Sequence, residues 1–154
     1  MLFTFCTSSV LLSAQKVLPK EFVKTLDNKT VSVQSFLDKP LVISFWSTCC
    51  KPCISELSEI ADVYDDWQDE VKFNFLAVSV DDARSVAKVK SLVNGKDWPF
   101  AVALDDNQAI KRALNVVAIP HIFVFNKKGD LVYEHQGYTP GSEDEVFEQL
   151  KKMQ

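Results

Sequence analysis

Two patterns of apolar and polar positions dominate the middle of the chain. Residues 41–46 (LVISFW) form a mostly apolar run, which is typical of a buried strand. In residues 54–67 the apolar side chains instead recur every three or four positions, which predicts a helix with one face in the core. These side chains are Ile54, Leu57, Ile60, Tyr64 and Trp67. A buried strand therefore leads through a short connection into an amphipathic helix.

Similar patterns continue on both sides of this unit. Strand patterns occupy residues 21–26, 30–33, 71–80, 100–104, 122–125 and 131–134, and helix patterns occupy 35–38, 83–92, 108–114 and 143–152. Strands that alternate with helices predict an α/β fold with a central mixed β-sheet flanked by helices on both faces. The first two strands form an N-terminal β-hairpin, because Asn28 in the turn between them tolerates the left-handed conformation.

Polar residues mark the expected helix ends. Asp81 and Asp82 are placed to cap the helix at 83–92, which we expect to end at Asn94–Gly95. Ser142, followed three residues later by Glu145, predicts a capping box at the start of the last helix.

Length and charge limit the function classes. The chain has 154 residues, 47% of them hydrophobic, so it is long enough for one domain with a real core. Its formal net charge of −4 argues against a nucleic-acid partner and leaves no basic patch for a membrane surface.

The first 14 residues (MLFTFCTSSVLLSA) are apolar and uncharged. We expect them to be the hydrophobic part of a secretory signal, which would leave residues 15–154 as the mature domain and remove Cys6. The alternative is a packed or disordered N-terminal strand. The segment is shorter than the roughly 20 apolar residues of a spanning helix, so it would anchor the chain only with more residues before it.

Cys50 and Cys53 stand between the predicted strand 41–46 and the predicted helix 54–67. Two thiols at C-x-x-C spacing on a first helical turn can close a disulfide with little backbone movement, and this spacing at a strand-to-helix junction is the thioredoxin-like redox signature. The helix N-terminus favours the thiolate of Cys50. Pro52 suits the first turn, where its missing N–H would have no partner.

Three of the four cysteines lie close together, at Cys49, Cys50 and Cys53. A structural disulfide framework would spread its cysteines along the chain, so this cluster indicates a site. A zinc site is disfavoured, because no second cysteine pair follows and His121 and His135 are not at finger spacing. We expect no metal and no cofactor.

Residues 45–53 (FWSTCCKPC) resemble the F-W-x-T-W-C-x-P-C motif of the TlpA/ResA-like thiol–disulfide oxidoreductases, a thioredoxin-fold family. Residues 116–120 (VVAIP) are similar to the V-x-x-x-P segment of this family, and residues 125–132 to its strand–turn–strand with a glycine. Residues 83–104 resemble the helix and strand that the family adds to a minimal thioredoxin fold. The likeness covers residues 20–153, with the pieces in the order of the family.

The resemblance implies roles for residues of the helix. Cys50 would be the attacking thiolate and Cys53 the thiol that resolves the mixed disulfide. Glu56 lies three residues after Cys53 on the same helical face, where the family frequently has an acidic residue. A partly buried Glu56 would have a raised pKa and accept the Cys53 proton. The alternative is a solvent-exposed glutamate.

The resemblance also implies a site around the cysteines. Ile119–Pro120 would be a cis peptide packed against them, with Ile119 backbone groups that hold a substrate strand. Trp46 would be both a wall of the site and part of the core. Lys51 would either stabilise the Cys50 thiolate or be an exposed side chain of small effect. The expected supporting residues of the motif are Trp46, Thr48, Lys51 and Pro52.

Two positions depart from the family. Cys49 replaces the usual tryptophan and is either a small buried hydrophobic side chain or a third reactive thiol. His121 replaces the more usual threonine and either packs in a strand or lies near enough to bias the thiolate or bind a metal.

These observations lead to one expected function and one rival. We expect an exported thiol–disulfide oxidoreductase, in the periplasm or at the outer face of the membrane. It would be a monomer that reduces client proteins and receives electrons from a membrane donor. The rival is a copper(I) chaperone that uses Cys49, Cys53 and a histidine, His121 or His135. A peroxidase is less favoured, because Ser47 and Thr48 do not form the T-x-x-C pattern relative to Cys50.

Overall fold

A computed structural model describes residues 15–154, so the expected signal segment 1–14 and Cys6 lie outside the described residues. The strands are β1 (Phe22–Thr25), β2 (Thr30–Ser32), β3 (Leu41–Trp46), β4 (Asn74–Ser79), β5 (Ala101–Leu104), β6 (His121–Phe125) and β7 (Leu131–Gln136). The helices are α1 (Lys51–Glu70), α2 (Val86–Lys96), α3 (Ala109–Ala113) and α4 (Glu143–Lys151). Short 3-10 turns cover Val33–Phe36 and Ala83–Ser85.

The seven strands form one mixed sheet in the order β2-β1-β5-β4-β3-β6-β7. β3 pairs in parallel with β4 and antiparallel with β6, and β4 pairs in parallel with β5. The N-terminal hairpin of β1 and β2 joins the sheet through antiparallel pairing of β1 with β5. The predicted α/β fold is therefore confirmed, including the hairpin and the added α2–β5 unit.

Side chains of β3 alternate between two buried layers, as the period of two in a strand requires. Val42 and Trp46 join a core cluster that contains residues of α1, α2 and α4, and we call this side the α1 face. Phe45 joins a second cluster that contains Ile110 of α3, and we call this side the α3 face. Because helices cover both faces, β3 is buried along its whole length.

Helix α1 begins earlier than the apolar period alone predicts. Cys50 is its N-cap, the Cys50 sulfur accepts a hydrogen bond from the backbone N–H of Cys53, and Pro52 lies in the first turn. The helix continues to Glu70, where the Val71 N–H bonds to the Trp67 carbonyl. The C-x-x-C motif therefore occupies the first turn of a helix of 20 residues.

One predicted helix end and one predicted capping box are wrong. α2 does not end at Asn94–Gly95 but runs to Lys96, and Asp97 closes it with a left-handed backbone (φ 53°). Ser142 does not form a capping box, because its own backbone is helical and its side chain caps nothing. Its expected partner Glu145 instead accepts a hydrogen bond from the Tyr133 hydroxyl of β7 at 2.8 Å. Within residues 15–154, no helix combines the length and the apolar content needed to cross a bilayer.

Candidate active site

The two cysteines of the C-x-x-C motif form a disulfide bond. Their Cα atoms are 5.3 Å apart, as the first turn of α1 places them. Cys53 is completely buried (0% exposed), whereas Cys50 at the N-cap is only partly buried. Of the two sulfurs, only that of Cys50 can be approached from solvent without opening the core.

Thr48 is fixed by a carboxylate from the neighbouring strand connection. Its backbone N–H donates to Asp81 Oδ2 at 2.9 Å, and its hydroxyl donates to Asp81 Oδ1 at 2.8 Å. The Ser79 hydroxyl, at the end of β4, donates to the same Oδ2 at 2.8 Å. Asp81 is therefore not the helix cap that its position predicts. Asp82 caps only the 3-10 turn Ala83–Ser85, by accepting from the Arg84 N–H, and Ser85, the N-cap of α2, provides no side-chain cap. Sequence reasoning missed the contact of Thr48 with Asp81, because it joins two loops 33 residues apart.

Glu56 lies in the core under the motif and is only 2% exposed. The hydroxyl of Ser44, on β3, donates to Glu56 Oε2 at 3.2 Å. Burial raises the pKa of Glu56 to about 8, the Ser44 hydrogen bond acts in the opposite direction, and the negative charge of Glu143 raises the pKa further. The alternative of a solvent-exposed glutamate is therefore wrong. Ser44 was the missed residue here, and its signal was a polar side chain inside an apolar run.

The loop before β6 presents backbone groups beside the motif. Ile119–Pro120 is a cis peptide, as predicted. Pro120 is buried and its carbonyl accepts from the Gly137 N–H at 2.8 Å. Ile119 packs against the α1-face cluster that contains Cys53, while its N–H and C=O bond to no backbone group of residues 15–154. Val117, two residues earlier, is 78% exposed.

The remaining supporting residues of the motif are Trp46, Lys51 and Pro52, and their surroundings differ. Trp46 is completely buried and meets Trp98 edge to face, with ring centroids 5.2 Å apart. It belongs to the core as expected, in the apolar cluster that contains Cys53 and against which Cys50 packs, and its role as a wall of the site stays a prediction. Lys51 and Pro52 are both exposed on the first turn of α1.

Cys49 is a free, exposed thiol. The ammonium group of Lys88, on α2, donates to its sulfur at 3.4 Å. The interpretation of Cys49 as a small buried hydrophobic side chain is therefore wrong. The physical reason is that β3 ends at Trp46, so the loop that follows is free to turn Cys49 toward α2 and the surface instead of into the sheet.

His121 lies on the α3 face, on the opposite side of the sheet from α1. It pairs with Phe45 of β3 and stacks on Phe123, with ring centroids 4.2 Å apart. Burial lowers the pKa of His121, although Glu134, whose Oε2 is 3.6 Å from Nε2, acts against this. His121 is thus a packed strand residue, and the sheet separates it from the cysteines.

The residues of the rival copper site are not brought together. Cys53 is held in the disulfide, Cys49 points to the surface, and His121 is on the other face of the sheet. In the part of the chain that the structure describes, no three histidine, cysteine or acidic side chains are placed to hold a metal ion.

Comparison with known proteins agrees with this geometry. Residues 14–134 match the AhpC/TSA family. The chain belongs to this family. A curated relative, the thiol–disulfide oxidoreductase ResA of Bacillus thuringiensis subsp. konkukian, is 29% identical over 138 residues, which cover 90% of this chain and 77% of that protein.

Two solved structures are also similar. An uncharacterized thioredoxin-like protein from Porphyromonas gingivalis is 41% identical, with a TM-score of 0.75 over 88% of this chain and 90% of that one. A secreted disulfide oxidoreductase of Mycobacterium tuberculosis shares the fold, with a TM-score of 0.72 and 20% identity over 86% of this chain and 96% of that one. The resemblance to TlpA/ResA-like proteins is confirmed, and the chain is a thiol–disulfide oxidoreductase of the thioredoxin fold.

Proposed function

We propose that the protein reduces disulfides of client proteins outside the cytoplasm by exchange with its Cys50–Cys53 pair. The observation that carries this proposal is the unequal burial of the two sulfurs, with Cys50 partly open at the N-cap of α1 and Cys53 completely buried. A client disulfide can reach only the Cys50 sulfur. Cys50 is therefore the residue that attacks the client, and Cys53 is the residue that resolves the mixed disulfide.

In the first step, the Cys50 thiolate attacks one sulfur of the client disulfide. The client S–S bond breaks, its electron pair leaves on the second client sulfur, and that thiolate takes a proton from solvent. The free N–H groups at the start of α1 and the positive end of the helix dipole favour the Cys50 thiolate. The exposed, positively charged Lys51 acts in the same direction.

In the second step, Cys53 releases the client. Glu56 takes the proton from the Cys53 thiol, and the resulting thiolate attacks the Cys50 sulfur. The bond between Cys50 and the client breaks, and the client sulfur leaves as a thiolate. Two electrons have then passed to the client, and the protein holds the Cys50–Cys53 disulfide. A carboxyl whose pKa is raised to about 8 by burial is suited to hold and return this proton near neutral pH.

The client would lie along the loop before β6. An extended client segment can pair with the free N–H and C=O of Ile119, which places its cysteine beside Cys50. Thr48, held by Asp81, keeps the loop that carries Cys50 in place from the other side.

Export and the electron supply belong to the same proposal. The apolar segment 1–14 supports export of a mature domain 15–154, and one similar protein of known structure is described as secreted. An oxidising compartment returns the pair to the disulfide, so sustained reduction needs a dithiol donor in the membrane. We propose that the domain works as a monomer.

Insulin reduction by the full chain tests the exchange chemistry. Cys50→Ser should abolish the activity, while Cys49→Ser, which changes the adjacent exposed thiol, should leave it. Retention of activity by Cys50→Ser would overturn the proposal. Export is tested separately with alkaline phosphatase, which is active only after export, fused to the C-terminus. The fusion should be active in bacterial cells and inactive when residues 2–14 are deleted.

A further inference from the structure

Ser44 is a polar side chain in the centre of the most buried strand. The neighbouring residues on the same face of β3, Val42 and Trp46, are apolar and completely buried, and Ser44 itself is 0% exposed. A hydroxyl placed there without a partner would destabilise the fold. Its presence therefore indicates a specific partner.

That partner is Glu56. The Ser44 hydroxyl donates to Glu56 Oε2 at 3.2 Å, and no other group of residues 15–154 makes a hydrogen bond to this carboxyl. The second oxygen, Oε1, is therefore left without a donor. Cys53 precedes Glu56 by three residues, one helical turn away on the same face of α1.

None of the charged groups around Glu56 stabilises its carboxylate form as the Ser44 hydroxyl does. Glu143, at the start of α4, adds negative charge, and Glu59 and Tyr138 lie at the same end of α1. β3 contributes no charged side chain on this face, and Ile122 on β6 is apolar. Burial and Glu143 both favour the neutral acid, so the Ser44 hydroxyl is the interaction that favours the carboxylate.

We propose that Ser44 is a positioning residue for client release, whose hydroxyl holds one oxygen of the Glu56 carboxylate so that the other can take the proton of Cys53. This proposal rests on the proton-acceptor role of Glu56 proposed above. The proton passes from Cys53 Sγ to Glu56 Oε1, the thiolate attacks the Cys50 sulfur, and the electron pair of the broken bond leaves with the client sulfur. Ser44 itself neither gains nor loses a proton.

The test measures the release step against pH. The reduced full chain is mixed with excess disulfide-linked fluorescent peptide, and the single-turnover rate of Cys50–Cys53 disulfide formation is followed from pH 6 to 10. Ser44→Ala should move the midpoint of the profile upward by about one pH unit, with a roughly tenfold slower rate at pH 7, because a hydrogen bond to a charged acceptor changes an ionisation constant by about that factor.

A matched pair of variants removes the effect of shape. Ser44→Thr keeps the hydroxyl and Ser44→Val replaces it with a methyl group of the same size. The Thr variant should keep the wild-type midpoint, and the Val variant should show the upward shift. This comparison also decides the question if the Ser44→Ala variant folds poorly.

A double-mutant cycle then separates positioning from a general effect on the strand. Glu56→Gln should remove the pH dependence of the release rate between pH 6 and 10. Ser44→Ala added to Glu56→Gln should have no further effect on this rate. If Ser44→Ala slows release equally with and without Glu56→Gln, or if the Thr and Val variants behave alike, the proposal is overturned. An unchanged pH profile of Glu56→Gln would overturn it as well, while insulin reduction lost in Cys50→Ser would still uphold the exchange function.

Discussion

Thr48 gives both its backbone N–H and its hydroxyl to the carboxylate of Asp81, at 2.9 and 2.8 Å. Thr48 stands two residues before Cys50, and Asp81 follows β4, the parallel neighbour of β3. The carboxylate therefore ties the loop that carries Cys50 to the end of the next strand.

Replacement of Asp81 by Asn should weaken this tie. An amide has one acceptor oxygen, so it cannot accept from the N–H and hydroxyl of Thr48 and from Ser79 in the same way. We expect the free energy of unfolding to fall by about 1–3 kcal/mol, together with slower insulin reduction. Urea unfolding of the oxidised protein measures the first effect. Asp82→Asn, one residue away, should change both quantities little, and equal effects of the two variants would contradict the assignment.

Buried Glu56 should make the stability of the oxidised protein fall as pH rises. Its pKa is raised from 4.5 in the unfolded chain to about 8 in the fold, so the folded state binds the extra proton between these values. This contribution to the free energy of unfolding is fully present below about pH 4.5 and is lost as pH rises through about 8. The loss is on the order of a few kcal/mol.

Glu56→Gln tests whether stability falls as pH rises, because the amide cannot ionise but keeps the shape of the side chain. The variant should lose most of the decline between pH 5 and pH 8.5, and it should be more stable than the wild type at the upper end. Urea unfolding at both pH values gives the comparison, and a variant with the same pH slope as the wild type would show that Glu56 ionises freely in the fold.

Cys49 should be the thiol of the described residues that reacts in the oxidised protein. It is exposed and free, whereas Cys50 and Cys53 are joined in the disulfide. Iodoacetamide followed by peptide mapping should label Cys49 before reduction and Cys50 as well after it. Label on Cys53 before reduction would contradict the pairing, and label missing from Cys49 would contradict its exposure.

His121 should stay neutral at pH values where an ordinary histidine is charged. Its pKa is lowered from 6.5, mainly by burial, so the stability that the neutral ring provides above pH 6.5 is lost as pH falls through the lowered value. NMR titration should give an imidazole midpoint below 6.5, with the signal assigned by comparison with a His135→Gln variant. A midpoint at or above 6.5 would contradict this prediction.

The sequence predicts those parts of the site that depend on residues close together along the chain. The limits of β3 and the place of Cys50 and Cys53 on the first turn of α1 follow from an apolar run, a C-x-x-C spacing and Pro52. The same is true of Asn28, whose left-handed backbone (φ 66°) closes the β1–β2 hairpin. Each of these features is decided within a few residues of chain.

Other features depend on which segments meet in space. His121 belongs to a strand buried on both faces, so its sequence has no alternation to indicate that it turns away from the cysteines. Asp81 has two possible roles, as a helix cap or as the acceptor for Thr48, and only the pairing of β3 with β4 decides between them. Likewise, Glu145 accepts a hydrogen bond from Tyr133 of the preceding strand, β7, instead of forming the local capping box with Ser142.

The unequal burial of Cys50 and Cys53 also offers a way to test for the proposed clients. If the buried sulfur is removed by Cys53→Ser, a client attached to Cys50 has no internal thiol beneath it to displace it. The neighbouring exposed Cys49 is the remaining thiol of the described chain that could do so, and Cys49→Ala removes it. Under the proposed function, a Cys49→Ala, Cys53→Ser protein would act as a covalent trap, and reductant would then release the bound client proteins from it.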